Sequence, residues 1–179
     1  YRAEFAPALQ AALNDAEPAI RVQAASTVAK IEHHFLQRSM ALEESLAQHP
    51  GDLGLVLDGA RHQDALAAAG LLDDKRAGEA ARTSLALHMR LIGQSPDPAT
   101  RVEAIAASGR LLLRLGHVGH AFRLLHASIL RDGAPAPALV GPYLESLFRL
   151  HRFVELREFC MRLRRQGGEV AWLSLHPDH

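Results

Sequence analysis

The sequence has almost no cysteine, few aromatic rings and no net charge. A single cysteine, Cys160, excludes an internal disulfide framework and leaves no CxxC metal or redox motif, so a reducing compartment is the natural inference. Aromatic residues make up 5% of the chain, and no stretch alternates apolar and polar side chains as a half-buried strand does. Twenty basic side chains balance twenty acidic ones. The chain thus lacks the overall positive field that draws a protein to nucleic acid or acidic lipid, and nucleic acid is not an expected partner. No apolar run approaches the roughly 20 residues that span a bilayer, and no signal peptide is visible. Because it opens at Tyr1 without a methionine, the sequence is expected to be an excised piece, compatible with an upstream membrane anchor.

What is present favours helices. Hydrophobic residues reach 48% and charged residues 22%, with Ala, Leu, Arg and Glu abundant. Small alanines suit close helix-on-helix packing, and a chain of 179 residues can bury roughly 70% of its unfolded surface. The expected fold class is all-α.

Apolar residues at helical spacing and Pro/Gly punctuation predict eight helices. The first includes Glu4 to Leu13, with Phe5, Leu9 and Leu13 in register. The second starts at Pro18, presents Ile20, Ala24, Val28, Ile31 and Phe35, and continues through Leu42 and Leu46 towards Gln48. A break near Gln37 to Ser39 is the alternative to one long helix. A third spans about Leu53 to Leu71, presenting Leu53, Leu57, Ala60, Ala67 and Leu71, with Asp73-Asp74 closing it. A fourth spans about Arg76 to Ile92, presenting Ala81, Leu85, Met89 and Ile92. Asp97 before Pro98 reads as an N-cap and a first-turn proline for the fifth. Its face of Val102, Ile105, Ala106, Gly109, Leu112 and Leu113 leads through Gly116-His117 into Val118, Ala121, Phe122, Leu125 and Ile129. So short a link makes the fifth and sixth helices an antiparallel hairpin. Val140, Tyr143, Leu144 and Leu147 mark the seventh, and Leu156, Phe159, Cys160 and Leu163 the eighth. Gly167-Gly168 would cap the eighth, and Val170, Trp172, Leu173 and Leu175 would pack back over the last hairpin.

The triplet Arg114-Leu115-Gly116 aligns with Arg149-Leu150-His151, 35 positions later, close to the period of about 34 in tetratricopeptide repeats (TPR). Gly109 and Ala121 then stand at the two small positions of that repeat, where the helix axes approach most closely. Ile105 and Leu112 depart from the usual Trp and Tyr. Leu53 to Asp97 matches only in punctuation. At the start, Pro7, Asp15 and Arg21, followed by Ala24-Ala25 and Val28, look like a HEAT repeat. In that pattern the turn aspartate and second-helix arginine hold neighbouring turns together; an ordinary hairpin with Asp15 as turn former is the alternative. The organisation read from the sequence is an α-solenoid of antiparallel helix pairs in a single helical-repeat domain, 1–179. It comprises a HEAT-like pair at 1–50, an irregular TPR-like pair at 51–97, TPR-like pairs at 98–134 and 135–168, and a capping tail at 169–179.

Four blocks carry a more particular resemblance. They are the HEAT-like Ala-Leu-Asn-Asp-Ala-Glu-Pro-Ala-Ile-Arg-Val-Gln-Ala-Ala, then Leu-Glu-Glu-Ser-Leu, Gly-Leu-Leu-Asp-Asp and Gly-Arg-Leu-Leu-Leu-Arg-Leu-Gly. In this order they resemble the PelE family, tetratricopeptide proteins of the bacterial Pel exopolysaccharide machinery, over most of Leu13 to Leu130. The resemblance implies a repeat domain on the cytoplasmic side of the inner membrane, preceded by transmembrane helices. It also implies PelD, the cyclic-di-GMP receptor of that machinery, as partner.

Candidate chemistry is sparse. Eleven histidines invite a metal, and His117 with His120 could face one ion, but no Asp, Glu or Cys accompanies them locally and exposed turn histidines are the simpler reading. His33 and His34 point to different sides of a helix, and His176 and His179 lie near the end. Glu43-Glu44 and Asp73-Asp74 are adjacent pairs that diverge on a helix. No nucleophile elbow or phosphate loop is present, and Cys160 falls on an apolar stripe, as a core residue does. The expected activity is protein binding without catalysis, cofactor, metal or small-molecule substrate. First helices line the inner surface of a repeat stack, which places Glu103, Arg110, Arg114, Glu145 and Arg149 as candidate partner-binding residues. The Lys and Asn clamp of tetratricopeptide domains that grip terminal carboxylates is absent. Beside a membrane-tethered Pel-type scaffold stand two rivals, a soluble HEAT/TPR adaptor in an unrelated pathway and an enzyme with a hidden helical site.

Overall fold

A computed structural model describes residues 6–69, 73–131 and 135–165. The described residues form eight α-helices and no strand: α1 (Ala6–Leu13), α2 (Pro18–Gln48), α3 (Leu53–Ala68), α4 (Asp74–Gln94), α5 (Pro98–Arg114), α6 (Val118–Arg131), α7 (Pro137–Arg149) and α8 (Phe153–Arg165). The chain divides into two compact units, Tyr1–Pro96 and Asp97–His179. The expectations for Glu4, Phe5, Leu71, Gly167-Gly168 and the tail from Val170 lie outside the described residues.

In the first unit α2 is one helix of 31 residues, with Pro18 in its first turn and no break at Gln37 to Ser39. Asp15 accepts the Glu17 amide at 2.9 Å and shapes the preceding turn. Arg21 returns to that turn, donating Nη1 to the carbonyls of Asp15 at 2.7 Å and Ala16 at 2.9 Å. Of the stripe expected on α2 only Ala24 is buried; Val28, Ile31 and Phe35 are half-buried and Ile20 is exposed. Aspartates start the next two helices. Asp52 Oδ1 accepts from the amides of Gly54 and Leu55 at 2.8 and 3.1 Å, and Asp73 Oδ1 from that of Arg76 at 2.8 Å. Asp73-Asp74 therefore opens α4, whereas the sequence reading had it close α3.

The faces that α3 and α4 bury also differ from the expected stripes. Val56, Gly59, Ala60, His62 and Gln63 are buried on α3, while Leu53, Leu57 and Ala67 are half-buried. Ala80, Ala81, Ser84, His88 and Leu91 are buried on α4, and Met89, expected inside, is 47% exposed. Gly59 permits close approach: a Cβ there would lie 3.3 Å from Leu46 of α2 and 3.3 Å from Leu87 of α4.

In the second unit Asp97 caps α5, accepting from the amides of Ala99 at 3.3 Å and Thr100 at 2.8 Å, with Pro98 in the first turn. Its core joins Ala106 and Leu113 of α5, Ala121, Leu125 and Ile129 of α6, Leu139, Tyr143, Leu144 and Leu147 of α7, and Phe159, Cys160 and Leu163 of α8. A Cβ on Gly109 would sit 2.9 Å from Leu125, which is fully buried, so any side chain at this crossing of α5 and α6 would have to displace Leu125. Thirty-five positions later the bulk is exchanged: Leu144 stands for Gly109, and Cys160 for Leu125.

Helices α5 and α7 end alike. At α5 the Gly116 amide donates to Leu113 and that of His117 to Leu112, with Gly116 at φ +79°. At α7 the His151 amide donates to Phe148 and that of Arg152 to Leu147, with His151 at φ +56°. Both are Schellman terminations, 35 residues apart, and the second helices then start at Val118 and Phe153, the same spacing.

Candidate functional site

Two polar constellations hold the first unit together, and sequence reading found neither. In the first, His62 of α3 is 6% exposed, and its Nε2 lies 3.0 Å from Ser39 Oγ and 3.2 Å from the Phe35 carbonyl, both on α2. The carbonyl can only accept, so Nε2 carries the hydrogen. Burial lowers the proton affinity of His62; the bond to Phe35 opposes this, and the positive charges of Arg38 and His34 reinforce it. The Phe35 ring leans over the imidazole, with centroids 5.6 Å apart.

In the second constellation Asp64 of α3 receives two partners from α4. Ser84 Oγ is 2.7 Å from Oδ1 and His88 Nε2 is 2.9 Å from Oδ2. Ser84 and His88 are 0% and 1% exposed. The serine has one hydrogen to give, either to Asp64 or to the Ala60 carbonyl at 3.0 Å. The carboxylate stands between hydroxyl and imidazole. The carboxylate and not the imidazole faces the hydroxyl, so the order is not that of a Ser-His-Asp triad, in which the imidazole stands between the other two. It works as a clamp between two helices.

Outside this clamp, α2 and α3 border a cleft of about 310 Å³ lined by His34, Phe35 and Arg38 from one side and Asp58, Arg61, His62 and Ala65 from the other. A second hollow of about 200 Å³, by Ser39, Leu46, Gly59 and Leu87, is more apolar. Along α2, Val22, Leu36 and Met40 are 71%, 59% and 61% exposed, an apolar content unusual for a water-facing stripe.

The five residues singled out from the sequence all lie in the second unit. Glu103, Arg110 and Arg114 share one exposed stripe of α5. Glu145 and Arg149 pair with each other on α7 at 2.5 Å, and Arg149 Nη1 also donates to the Leu113 carbonyl of α5 at 2.9 Å. Arg149 thus ties one first helix to the end of the preceding one. The structure brings α5 and α7 side by side through that contact.

Elsewhere, His117 and His120 meet edge to face with centroids 6.1 Å apart. Among the described residues no three His, Cys, Asp or Glu side chains converge as a metal site would require. Cys160 is buried, and burial raises its pKa, which keeps the thiol protonated and poorly nucleophilic. Among the described residues no helix is long and apolar enough to cross a membrane. Compared with family models, with curated proteins and with solved structures, the chain matches none.

Proposed function

We propose that this chain is a non-catalytic protein-binding scaffold, an α-solenoid with a HEAT-like pair followed by degenerate TPR-like pairs. The observation that carries this reading is the recurrence of one helix ending. Arg114-Leu115-Gly116 and Arg149-Leu150-His151 adopt the same Schellman geometry, and Arg149 bonds the terminal carbonyl region of the preceding first helix. A helix ending that recurs at a fixed spacing is what a repeat array leads one to expect. Arg21, reaching over the turn that Asp15 shapes, supports the HEAT-like pair. Exposed apolar side chains on α2 and the charged stripe Glu103, Arg110 and Arg114 offer contact area for a protein.

The four sequence blocks support a choice of partner and place. On that resemblance the scaffold belongs to the Pel exopolysaccharide synthesis and export complex, at the cytoplasmic face of the bacterial inner membrane, held by an upstream anchor, and it binds PelD. Co-expression tests this directly. The tagged chain is expected to retain PelD through affinity and size-exclusion steps. Complete separation of the two would contradict the assignment and leave the rival reading, a soluble adaptor of another pathway.

A further inference from the structure

Helix α2 has 31 residues, whereas α1 and α3, which pack on it, have 8 and 16. Within α2 only Ala24 and Ser39 are buried. On another side of the helix Val22, Ala25, Ala29, Leu36 and Met40 are all exposed, at spacings of three, four and seven that keep them on one face. The charges of α2 are sorted along its length. Arg21 and Lys30 stand in its first half with no carboxylate, and Glu43 and Glu44 stand near its end with no base beyond Arg38. Carboxylates there meet the negative end of the helix dipole, and the last turn has no basic side chain to offset them. Arg21 gives Nη1 to the carbonyls of Asp15 and Ala16, which leaves its charge unneutralised. Among the described residues Arg21, Glu43 and Glu44 form no ion pair.

We propose that a second copy of this chain covers this face, the two α2 helices lying antiparallel about a two-fold axis near Glu32 and His33. In that register Leu36 packs against Ala29 of the second copy and Met40 against Ala25, so each large side chain meets a small one. Glu44 comes opposite Arg21, and Glu32 opposite His33. The acidic end of one helix thus lies along the basic start of the other, and the two helix dipoles oppose. Glu17, just ahead of the helix, meets the uncharged Gln48 and is not repelled. A parallel pairing would instead set Glu43 and Glu44 against their own copies, which like-charge repulsion disfavours. The seam from Val22 to Glu43 is about 32 Å long. One helix face of that length is a contact at the low end of specific interfaces, so the dimer is expected to dissociate in the micromolar range. This pairing goes beyond the scaffold reading and does not depend on which partner the chain binds.

Sedimentation equilibrium of the full 179-residue chain, 19.5 kDa as a monomer, tests the pairing. The mass is expected to rise towards twice that value across micromolar concentrations. Leu36→Glu, at an exposed position, should weaken association by at least about tenfold, because the two-fold axis brings the charge into the seam twice. It should melt as the wild type does. Glu44→Arg should weaken association as well, and R21E/E44R, with both signs exchanged, should restore it. Should R21E/E44R misfold because Arg21 also braces the turn, Leu36→Glu and Glu44→Arg decide. Oxidation of cysteine variants reads the register, with the buried Cys160 out of reach. His33→Cys should give a disulfide-linked dimer, and Val22→Cys should not, because the antiparallel register sets its two copies about 30 Å apart. A monomer at high micromolar concentration, a dimer unmoved by Leu36→Glu, or cross-linking at Val22→Cys in place of His33→Cys overturns the proposal. A monomer whose Leu36→Glu variant loses PelD overturns it too and gives the face to that partner. A dimer that separates completely from PelD would sink the partner assignment alone.

Discussion

At the scale of single residues, His62 makes the first unit sensitive to acid. Its pKa in the folded chain is depressed below the ordinary value of about 6.5. Between those two values the unfolded chain binds more protons, so the contribution of His62 is fully present above about pH 6.5 and is lost as pH falls below it. Urea unfolding at a series of pH values should show stability declining from about pH 6.5 downwards, with a shallower decline in His62→Gln. An unchanged slope in that variant would place the acid sensitivity elsewhere. His151 offers a second test. It holds a left-handed backbone that costs an L-residue roughly 1 kcal/mol, whereas Gly116 holds the equivalent position at little cost. His151→Gly should therefore raise the melting temperature and Gly116→Ala lower it, each by about 0.5–1 kcal/mol in unfolding free energy. Opposite signs would contradict the shared termination.

At the scale of helices, the clamp on Asp64 predicts a larger effect. Asp64→Ala removes the carboxylate that faces buried His88 and leaves Ser84 only the Ala60 carbonyl, a loss of about 2–3 kcal/mol. Asp64→Asn keeps an acceptor for one partner and should lose less in the same denaturation experiment. The crossing at Gly109 predicts its own cost. Adding a methyl group drives it against the fully buried Leu125, which must shift, so Gly109→Ala should destabilise by about 1–3 kcal/mol. Adding Leu125→Val should recover part of the loss. Additive effects in this double variant would mean that the two side chains do not share one crossing.

These elements also divide what was legible in the sequence from what was not. Asp97-Pro98, the Gly116 ending and the 35-residue spacing were readable because caps and terminations are local: the residue that makes the geometry sits beside it. The long α2 was legible only as one of two readings, because the apolar spacing lapses at Arg38 and Ser39 between Phe35 and Leu42. The faces of α3 and α4 were misread because their buried surfaces include Ser84, His88, His62 and Gln63. Periodicity assigns polar residues to water, and here His62, Ser84 and His88 are buried with partners that reach them from a neighbouring helix, Ser39 for the first and Asp64 for the other two. Those partners lie 20 to 24 residues away, beyond any local pattern. The same holds for the cleft. Its walls belong to different helices and meet only when α2 and α3 pack together.

At the scale of the whole molecule, each unit has its own kind of core. The second has one apolar core running through α5, α6, α7 and α8. The buried apolar residues of the first are mainly alanines with Val56 and Leu91, supplemented by the His62 and Asp64 constellations. A thin core leaves apolar side chains such as Leu36 and Met40 at the surface, and surface of that kind is what a protein partner covers. Partner binding is therefore the central property proposed for this chain. Isothermal titration of the purified chain into the cytoplasmic region of PelD measures it most directly. Saturable heat with one-to-one stoichiometry at micromolar concentrations is expected; the absence of binding heat at high micromolar concentrations of both proteins, at more than one temperature, would contradict the proposed association.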